Sequence, residues 1–318
     1  MKGRGKGRLT IALAVTMIVT ALMMPIVNAY SEKVDQSKPV TLTLEYLPDD
    51  TIVEGVQFDL YYVGSITDDV MFVLEDQFTR YRNQIDLEGN KDPDWNRLAE
   101  TLKGFVERDG LSPMDTNYTN VDGKVFFPSS GRRLYPGLYL VLGSKASAND
   151  KNYYLSPMLF SLPYSYDGDV WTYDVIAKCT KYTSEETNQL KVIKTWVGEG
   201  RRNAYIEVDV LCDGELYETV RLDSTNNWEA ELRYLEPGHE WSVAENNIPQ
   251  GYTSAVERNM YIFQIENTIP ETPDDTPPPR REIPFTGTVW WPFPVLLLSG
   301  SILFVIGLYK RKRGNAEA

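Results

Sequence analysis

Seven short segments of alternating apolar and polar residues lie within residues 190–267, and this spacing is the strongest constraint on the fold. Alternation with a period of two places the apolar side chains on one face of a β-strand. Turn-forming residues separate the segments, as at 213–214, 226–227 and 249–251. Short strands at this spacing predict an antiparallel β-sandwich. The predicted strands cover residues 190–196, 204–212, 216–222, 228–232, 240–245, 252–257 and 260–267.

Residues 36–182, which precede this segment in the chain, are also predicted to be rich in β-strand. One stretch within them has apolar residues at helical rather than strand spacing. Over residues 95–108 the apolar residues recur at helical spacing, Asp94 can cap the start, and Gly110 follows the end. We expect this amphipathic helix to pack as a lid on the sheet rather than to bind a partner. The predicted strands of this unit lie within residues 40–46, 56–62, 120–127, 136–143, 156–163 and 170–177.

The pattern as a whole predicts an all-β chain with two tandem immunoglobulin-like β-sandwich domains, the first with a helical insertion. The domains cover residues 36–182 and 187–268, and the polar stretch 183–189 links them. Five prolines in residues 269–282 prevent that stretch from forming a core. An extended polyproline spacer is favoured there over a generic disordered linker.

The N-terminus has the pattern of a secretory signal peptide. Basic residues precede an apolar run that starts at Leu9 and ends near a site with small residues, so residues 1–29 are predicted to be cleaved after Ala29. An uncleaved N-terminal anchor is the less favoured alternative, because the apolar run is short.

The C-terminus has the pattern of a single membrane span. Residues 288–309 carry no charge, and as a helix they would extend about 33 Å, which is enough to cross a bilayer. The basic residues 310–313 begin a short tail, 310–318, which the positive-inside rule places in the cytoplasm. The bulk of the chain is therefore predicted to lie outside the cell.

The net charge, the single histidine and the two cysteines argue against several classes of function. The net charge of the chain is −13. The exported part is more acidic still, because basic residues near both ends of the chain lie outside it. Nucleic acid is therefore not an expected partner. The chain has one histidine, His239, and no metal-type cysteine spacing, so neither a metal nor another cofactor is expected. Cys179 and Cys212 could join the two domains in a disulfide, but a buried free thiol is favoured for Cys212, which continues an apolar alternation.

Three polar residues continue the apolar face of three different predicted strands. They are Lys194, Glu245 and Asn267. Strand ends that bend into solvent, or a buried Lys–Glu ion pair, would account for this pattern. A third interpretation is an intramolecular amide bond, in which a desolvated Lys194 amine attacks the Asn267 carboxamide and Glu245 relays protons.

The motifs around these residues resemble the Cna-B-type domains of Gram-positive surface proteins and pilins. LKVIKTW, WSVAENNIPQGY and YIFQIENT look like the opening strand, the glutamate box and the closing strand of that family. The resemblance covers most of residues 187–268 and implies an autocatalytic isopeptide bond between Lys194 and Asn267, assisted by Glu245. Trp241 and Asn246 depart from the usual box residues but do not touch the reacting groups.

The first domain resembles the N-terminal domains of pilin-type proteins more loosely, through VDGKVFFPSS and RLYPGLYLVLG. Its opening strand has no lysine, Leu142 and Gly143 stand where a box glutamate would be sought, and its closing stretch has no asparagine. No isopeptide bond is predicted there.

The pentapeptide Ile283-Pro284-Phe285-Thr286-Gly287, followed by an apolar span and a basic tail, resembles an LPxTG-type cell-wall sorting signal. The resemblance implies that a sortase attacks the Thr286 carbonyl and releases Gly287. The acceptor would be an amine of a peptidoglycan precursor or of a neighbouring pilin subunit. The implied location is the outer surface of a Gram-positive cell wall, reached from a single-pass membrane intermediate.

Two hypotheses remain for the mature protein, and an enzyme is not among them, because no nucleophile–histidine pair or phosphate loop is present. A minor or basal pilin subunit would need an acceptor lysine. Trp171 and Val175 match part of a pilin motif, and Lys178 and Lys181 lie nearby without matching its register. The alternative is a monomeric wall-anchored adhesin. The sequence does not identify a host or bacterial surface ligand, nor the class of sortase.

Overall fold

The computed structural model describes residues 33–68, 70–87, 94–165, 170–184 and 186–269, and the backbone of Thr288–Val289. The predicted signal peptide, the sorting motif, the cytoplasmic tail and nearly all of the spacer and transmembrane segment lie outside these residues. Within the part that is described, no helix is both long and apolar enough to span a membrane.

The described chain is mostly β-strand, which confirms the all-β prediction. The α-helix α1 spans Trp95–Arg108, and short 3₁₀ helices span Pro48–Asp50, Asp76–Tyr81 and Ser224–Asn226. The strands are β1 (Thr41–Glu45), β2 (Gln57–Ile66), β3 (Phe72–Leu74), β4 (Asp115–Tyr118), β5 (Lys124–Phe127), β6 (Gly137–Gly143), β7 (Ala146–Ala148), β8 (Lys151–Leu155), β9 (Met158–Leu162), β10 (Asp174–Lys178), β11 (Tyr182–Thr183), β12 (Gln189–Val197), β13 (Tyr205–Cys212), β14 (Glu215–Asp223), β15 (Glu229–Arg233), β16 (Trp241–Glu245), β17 (Thr253–Asn259), β18 (Ile262–Thr268) and β19 (Thr288–Val289).

The second domain contains a strand in each of the seven predicted segments. One sheet has the order β15-β12-β18-β17 and the other has the order β14-β13-β16. The prediction of antiparallel pairing is wrong for one pair, because the first strand, β12, and the last, β18, are parallel neighbours in which Lys194 is opposite Ile265. The core between the sheets is formed by apolar residues that alternate along the strands, including Val192, Val208, Val243 and Ile265.

The first domain is built from more sheets than were predicted. β5, β1 and β10 form one sheet, with β19 beside β10, and β3, β2, β6 and β9 form another, with β4 beside β2. β11, β8 and β7 form a small third sheet. Strands β3, β4, β7, β8 and β11 were not predicted, because segments of two to five residues are too short to show an alternation.

Helix α1 begins and ends where the sequence predicted. The Asp94 side chain accepts hydrogen bonds from the backbone nitrogens of Asn96 and Arg97, which caps the helix start. Gly110 follows the end with a φ of +59°.

The position of α1 differs from the prediction. The helix packs against β16 and β17 of the second domain as well as β6 and β9 of the first, so it lies between the domains rather than as a lid on one sheet. Leu98, Ala99 and all residues from 101 to 106 are buried as a result. The sequence concealed this second contact, because the side that faces the second domain carries Thr101, Lys103 and Gly104 instead of large apolar residues.

Candidate functional site

The three residues selected by strand alternation come together inside the second domain. The side chains of Lys194 and Glu245 have 0% exposure, and Asn267 is also fully buried. Lys194 Nζ lies 3.6 Å from Glu245 Oε2, and Asn267 Nδ2 donates a hydrogen bond to Glu245 Oε1 at 2.8 Å. Because β12 and β18 are parallel and adjacent, Lys194 and Asn267 are diagonal neighbours on one face of the sheet. Glu245 reaches them from the facing sheet.

Burial changes the chemistry of the lysine. Desolvation lowers the pKa of Lys194 to about 8, although the Glu245 carboxylate and the more distant Glu266 act in the opposite direction. Its ammonium group also lies 4.5 Å from the centre of the Trp196 ring. With this pKa about a tenth of the amine is neutral, and hence nucleophilic, at pH 7, compared with less than about a thousandth for an ordinary lysine.

Glu245 holds the Asn267 carboxamide through its nitrogen rather than through its oxygen. Among the described residues, its Oδ1 is a buried oxygen without a hydrogen-bond partner. Rotating the carboxamide by half a turn would place Oδ1 against Glu245, and a protonated carboxyl group there could donate to it. That contact would polarise the carbonyl for attack and bring a proton close to the leaving nitrogen.

Ser254 is a site residue that sequence reasoning missed. Its hydroxyl donates a hydrogen bond to Glu245 Oε2 at 3.0 Å from β17, the neighbour of β18. It therefore contacts the carboxylate oxygen that Asn267 does not. Ser254 alternates with the buried residues Tyr252 and Val256, so the local pattern already placed it on the inner face. Its pairing opposite Asn267 in the β17–β18 register shows in addition that it faces the site.

Aromatic rings enclose one end of the site. Trp196 makes edge-to-face contacts with Trp228 and Tyr252, with ring centres 5.5 and 5.4 Å apart. These rings exclude water from the lysine side. Tyr261 precedes β18 and is 37% exposed, so it does not continue the buried face formed by Phe263, Ile265 and Asn267.

The first domain has a similar pair of parallel strands, but apolar residues occupy the buried positions of that pair. Its strands β1 and β10 are parallel neighbours, like β12 and β18. Their buried positions are occupied by Leu42, Leu44, Val175 and Ala177. Within the described part of that domain, no lysine faces a glutamate and an asparagine at this position, so the prediction that it lacks an isopeptide bond is not contradicted.

Of the two candidate acceptor lysines, Lys178 is the last residue of β10 and Lys181 follows three residues later. Lys178 Nζ is 3.4 Å from Glu45 Oε2, and Lys181 Nζ donates to Asn96 Oδ1 at 2.6 Å. The backbone of Lys178 also pairs with that of Thr288 in the β10–β19 ladder. The sorting motif itself lies outside the described residues.

Both cysteines are free thiols, so the alternative of an interdomain disulfide is not realised. Cys179 is buried, and burial raises its pKa far above the usual value. The prediction that Cys212 is buried was too strong, because it is half-buried. A β-bulge between Val210 and Leu211 breaks the alternation, and Leu211 packs instead into the core of the first domain.

The only histidine of the chain lies beside one of these cysteines. Ligand atoms of Cys212, Asp213 and His239 lie within 4.8 Å of one another, which the spacing in the sequence did not indicate. His239 Nδ1 is 2.6 Å from Asp213 Oδ2, and Asp213 Oδ1 accepts from the Glu240 nitrogen at 2.8 Å. These contacts tie the β13–β14 turn to the β15–β16 loop, and the nearby Lys145 ammonium makes the cluster less favourable for a cation.

Comparisons with known proteins give structural likenesses only. No family model matches the chain, and no curated protein matches it. Two B repeat units of the collagen-binding protein Cna of Staphylococcus aureus share 17% identity over 73% of this chain and 50% of that chain, with a TM-score of 0.25. This chain therefore spans half the length of that fragment.

Two pilins are also similar. The full-length major pilin SpaD from Corynebacterium diphtheriae shares 16% identity over 75% of this chain and 66% of its own, with a TM-score of 0.29. The minor pilin GBS52 from Streptococcus agalactiae shares 14% identity over 75% of this chain and 99% of its own, with a TM-score of 0.24. These identities and TM-scores are too low to assign a family or a function.

Proposed function

We propose that this chain is an exported, non-enzymatic surface protein of a Gram-positive cell whose second domain is locked by an amide bond between Lys194 and Asn267. The observation that carries the proposal is the convergence of Lys194, Glu245 and Asn267 in a fully buried space. An unreacted lysine and glutamate at this depth would be costly to retain.

The reaction balances without a cofactor. The neutral Lys194 amine attacks Cγ of Asn267, and a C–N bond forms as the bond from Cγ to Nδ2 breaks. One amine proton passes through Glu245 to the leaving nitrogen, which departs as ammonia. The product is a secondary amide between the first and last strands of the domain.

The bond would give the domain resistance to force and heat. Pulling on both ends of the second domain would load a covalent link instead of the hydrogen bonds between β12 and β18. By the loop-entropy argument used for disulfides, closing a loop of about 70 residues stabilises the fold by about 4 kcal/mol. Such a property suits a stalk that connects an outer domain to the cell wall.

Anchoring is proposed from the sequence. The order of sorting pentapeptide, apolar span and basic tail supports cleavage by a sortase between Thr286 and Gly287. The acyl group would pass to peptidoglycan or to a lysine of another subunit. The partial pilin motif of Trp171 and Val175, with Lys178 nearby at the end of β10, supports a minor or basal pilin subunit. A monomeric adhesin, which needs no acceptor lysine, is the alternative.

Intact mass spectrometry tests the central claim. The full mature chain should weigh one molecule of ammonia less than its sequence requires, and Lys194→Ala and Asn267→Ala should each remove that difference. Lys191→Ala is a matched control, because Lys191 lies on the same strand with its side chain at the surface. A wild-type chain of full mass would disprove the bond.

A further inference from the structure

The second domain has an open edge that the first domain covers. β16 and β17 are the end strands of its two described sheets, and helix α1 packs against both. End strands expose backbone N–H and C=O groups that need partners. Glu245 lies on β16 and Ser254 lies on β17, so the candidate site is directly behind this edge.

Groups of the first domain make hydrogen bonds to the backbone of both edge strands. The Val256 nitrogen donates to Thr101 Oγ1 at 2.8 Å, and the Ser254 nitrogen donates to the Gln84 carbonyl at 2.8 Å. On the other sheet, Arg108 Nη1 donates to the main-chain carbonyl of Glu245 at 2.7 Å. The helix therefore takes the place that a further strand would occupy.

The approach of the helix is unusually close. A Cβ atom on Gly104 would lie 2.0 Å from the Val243 carbonyl oxygen. No other residue type fits there without moving the helix away from β16. Gly104 thus allows the backbone of α1 to approach the backbone of β16 directly.

Glu245 connects the helix to the site. Its backbone carbonyl accepts the Arg108 hydrogen bond, while its side chain points inward to Lys194 and Asn267. A shift of β16 at this point would move the carboxylate relative to both reacting groups.

We propose that helix α1 is the lid of the Lys194–Glu245–Asn267 site, with Arg108 as a positioning residue for Glu245. The inference rests on the proposed amide bond and goes beyond it, since it makes the first domain a structural requirement for bond formation in the second. The lid excludes water from the edge, which keeps the lysine amine desolvated and the carboxylate in place.

Three substitutions in the full chain open the lid to different degrees. Gly104→Val wedges the helix away from β16, Thr101→Val leaves the Val256 nitrogen unpaired at constant side-chain shape, and Arg108→Ala removes the donor to Glu245. Arg108→Lys keeps a cation and should restore part of the rate. Asn96→Val is the matched control, because Asn96 is an exposed residue of the same helix.

The first measurement is the rate of ammonia loss after a short induction, followed by intact mass. We expect a rate at least about tenfold lower in Gly104→Val and Arg108→Ala, since each unit of upward shift in the Lys194 pKa reduces the neutral amine tenfold below that pKa. The pH at which the rate reaches half of its plateau value should also rise from about 8. Glu245 and Glu266, the carboxylates that act on Lys194, are unchanged in every variant.

The second measurement is hydrogen exchange of β17 and of β12. Exchange should increase at Val256 in the lid variants while β12 stays protected, which shows that the domain is folded. The opposite outcome would be faster exchange at β17 with no change in the rate of ammonia loss or in its pH dependence. That outcome would overturn the proposal that α1 is a lid, but not the proposal of the amide bond. A wild-type chain that never loses ammonia would overturn both proposals.

Discussion

Asn267 donates a hydrogen bond to Glu245 at 2.8 Å across the interior of the second domain, in a space closed to solvent. The two residues belong to different sheets, and the lysine that completes the group lies 3.6 Å from the same carboxylate. A single carboxylate therefore contacts both the nucleophile and the electrophile of the proposed reaction.

Replacing that carboxylate by an amide tests its role. Glu245→Gln keeps the size and the hydrogen-bonding capacity of the side chain but cannot relay a proton. We expect bond formation to slow by about 10²- to 10⁴-fold, the range typical of a lost general acid–base. Intact mass against time measures this. Glu257→Gln, on the exposed part of β17, should not change the rate, and an unaffected Glu245→Gln chain would exclude the relay.

The rate of bond formation should depend on pH through the lysine. The pKa of Lys194 is lowered to about 8 by burial, and only the neutral amine attacks. Below that pKa the neutral fraction falls about tenfold per pH unit, so the rate should rise with pH and level off above about 8. Freshly made chain, quenched at intervals in buffers of different pH, gives the profile. A flat profile between pH 6 and 8 would mean that deprotonation of Lys194 does not limit the reaction.

The ion pair between the helix and the second domain should contribute to stability. Lys103 is buried against Glu240, with Glu107 3.8 Å away on the same helix. Glu240→Ala leaves the Lys103 ammonium with Glu107 as its more distant partner. We therefore expect the free energy of unfolding, measured in denaturant, to fall by about 3 kcal/mol. Glu236→Ala, an exposed position in the same loop, should cost less than about 0.5 kcal/mol. Equal effects of the two would show that the buried pair is not important for stability.

The two thiols should react differently with an alkylating reagent in the native protein. Cys179 is buried and its pKa is raised by desolvation, so it should be protected until the chain unfolds. Cys212 is half-buried and should be modified, slowly, because burial and the neighbouring Asp213 raise its pKa as well. Peptide mapping after alkylation identifies the modified site, and a chain with no free thiol would contradict the structure.

Polymerisation can be distinguished from monomeric anchoring in wall extracts on a denaturing gel. A pilus subunit should give a ladder, and the proposed position of Lys178 predicts that Lys178→Ala collapses it while Lys181→Ala does not. Loss of the ladder in Lys181→Ala alone would move the acceptor to that residue. A single wall-linked band in the wild type would favour the monomeric adhesin.

Alternation along single strands was sufficient to find Lys194, Glu245 and Asn267, because burial of a polar residue on an apolar face is visible in the local pattern. The same alternation also places Ser254 between the buried residues Tyr252 and Val256, although only the tertiary structure shows that its hydroxyl contacts Glu245. Arg108 could not be found in this way, because its role depends on which strands form the edges of the sheets and on what covers those edges, and neither is a local property.

The sequence by itself determined the all-β class, the seven strands of the second domain, the ends of helix α1 and the three residues that would react. Those features depend on interactions within a few residues: periodic burial, turn residues and helix capping. Only the tertiary structure decided that β12 and β18 run parallel, that the cysteines stay apart, and that α1 lies between the domains. Gly104 and Thr101 carry no apolar signal of an interface, since a close approach of backbones and a single hydrogen bond depend on a partner strand more than a hundred residues away in the sequence.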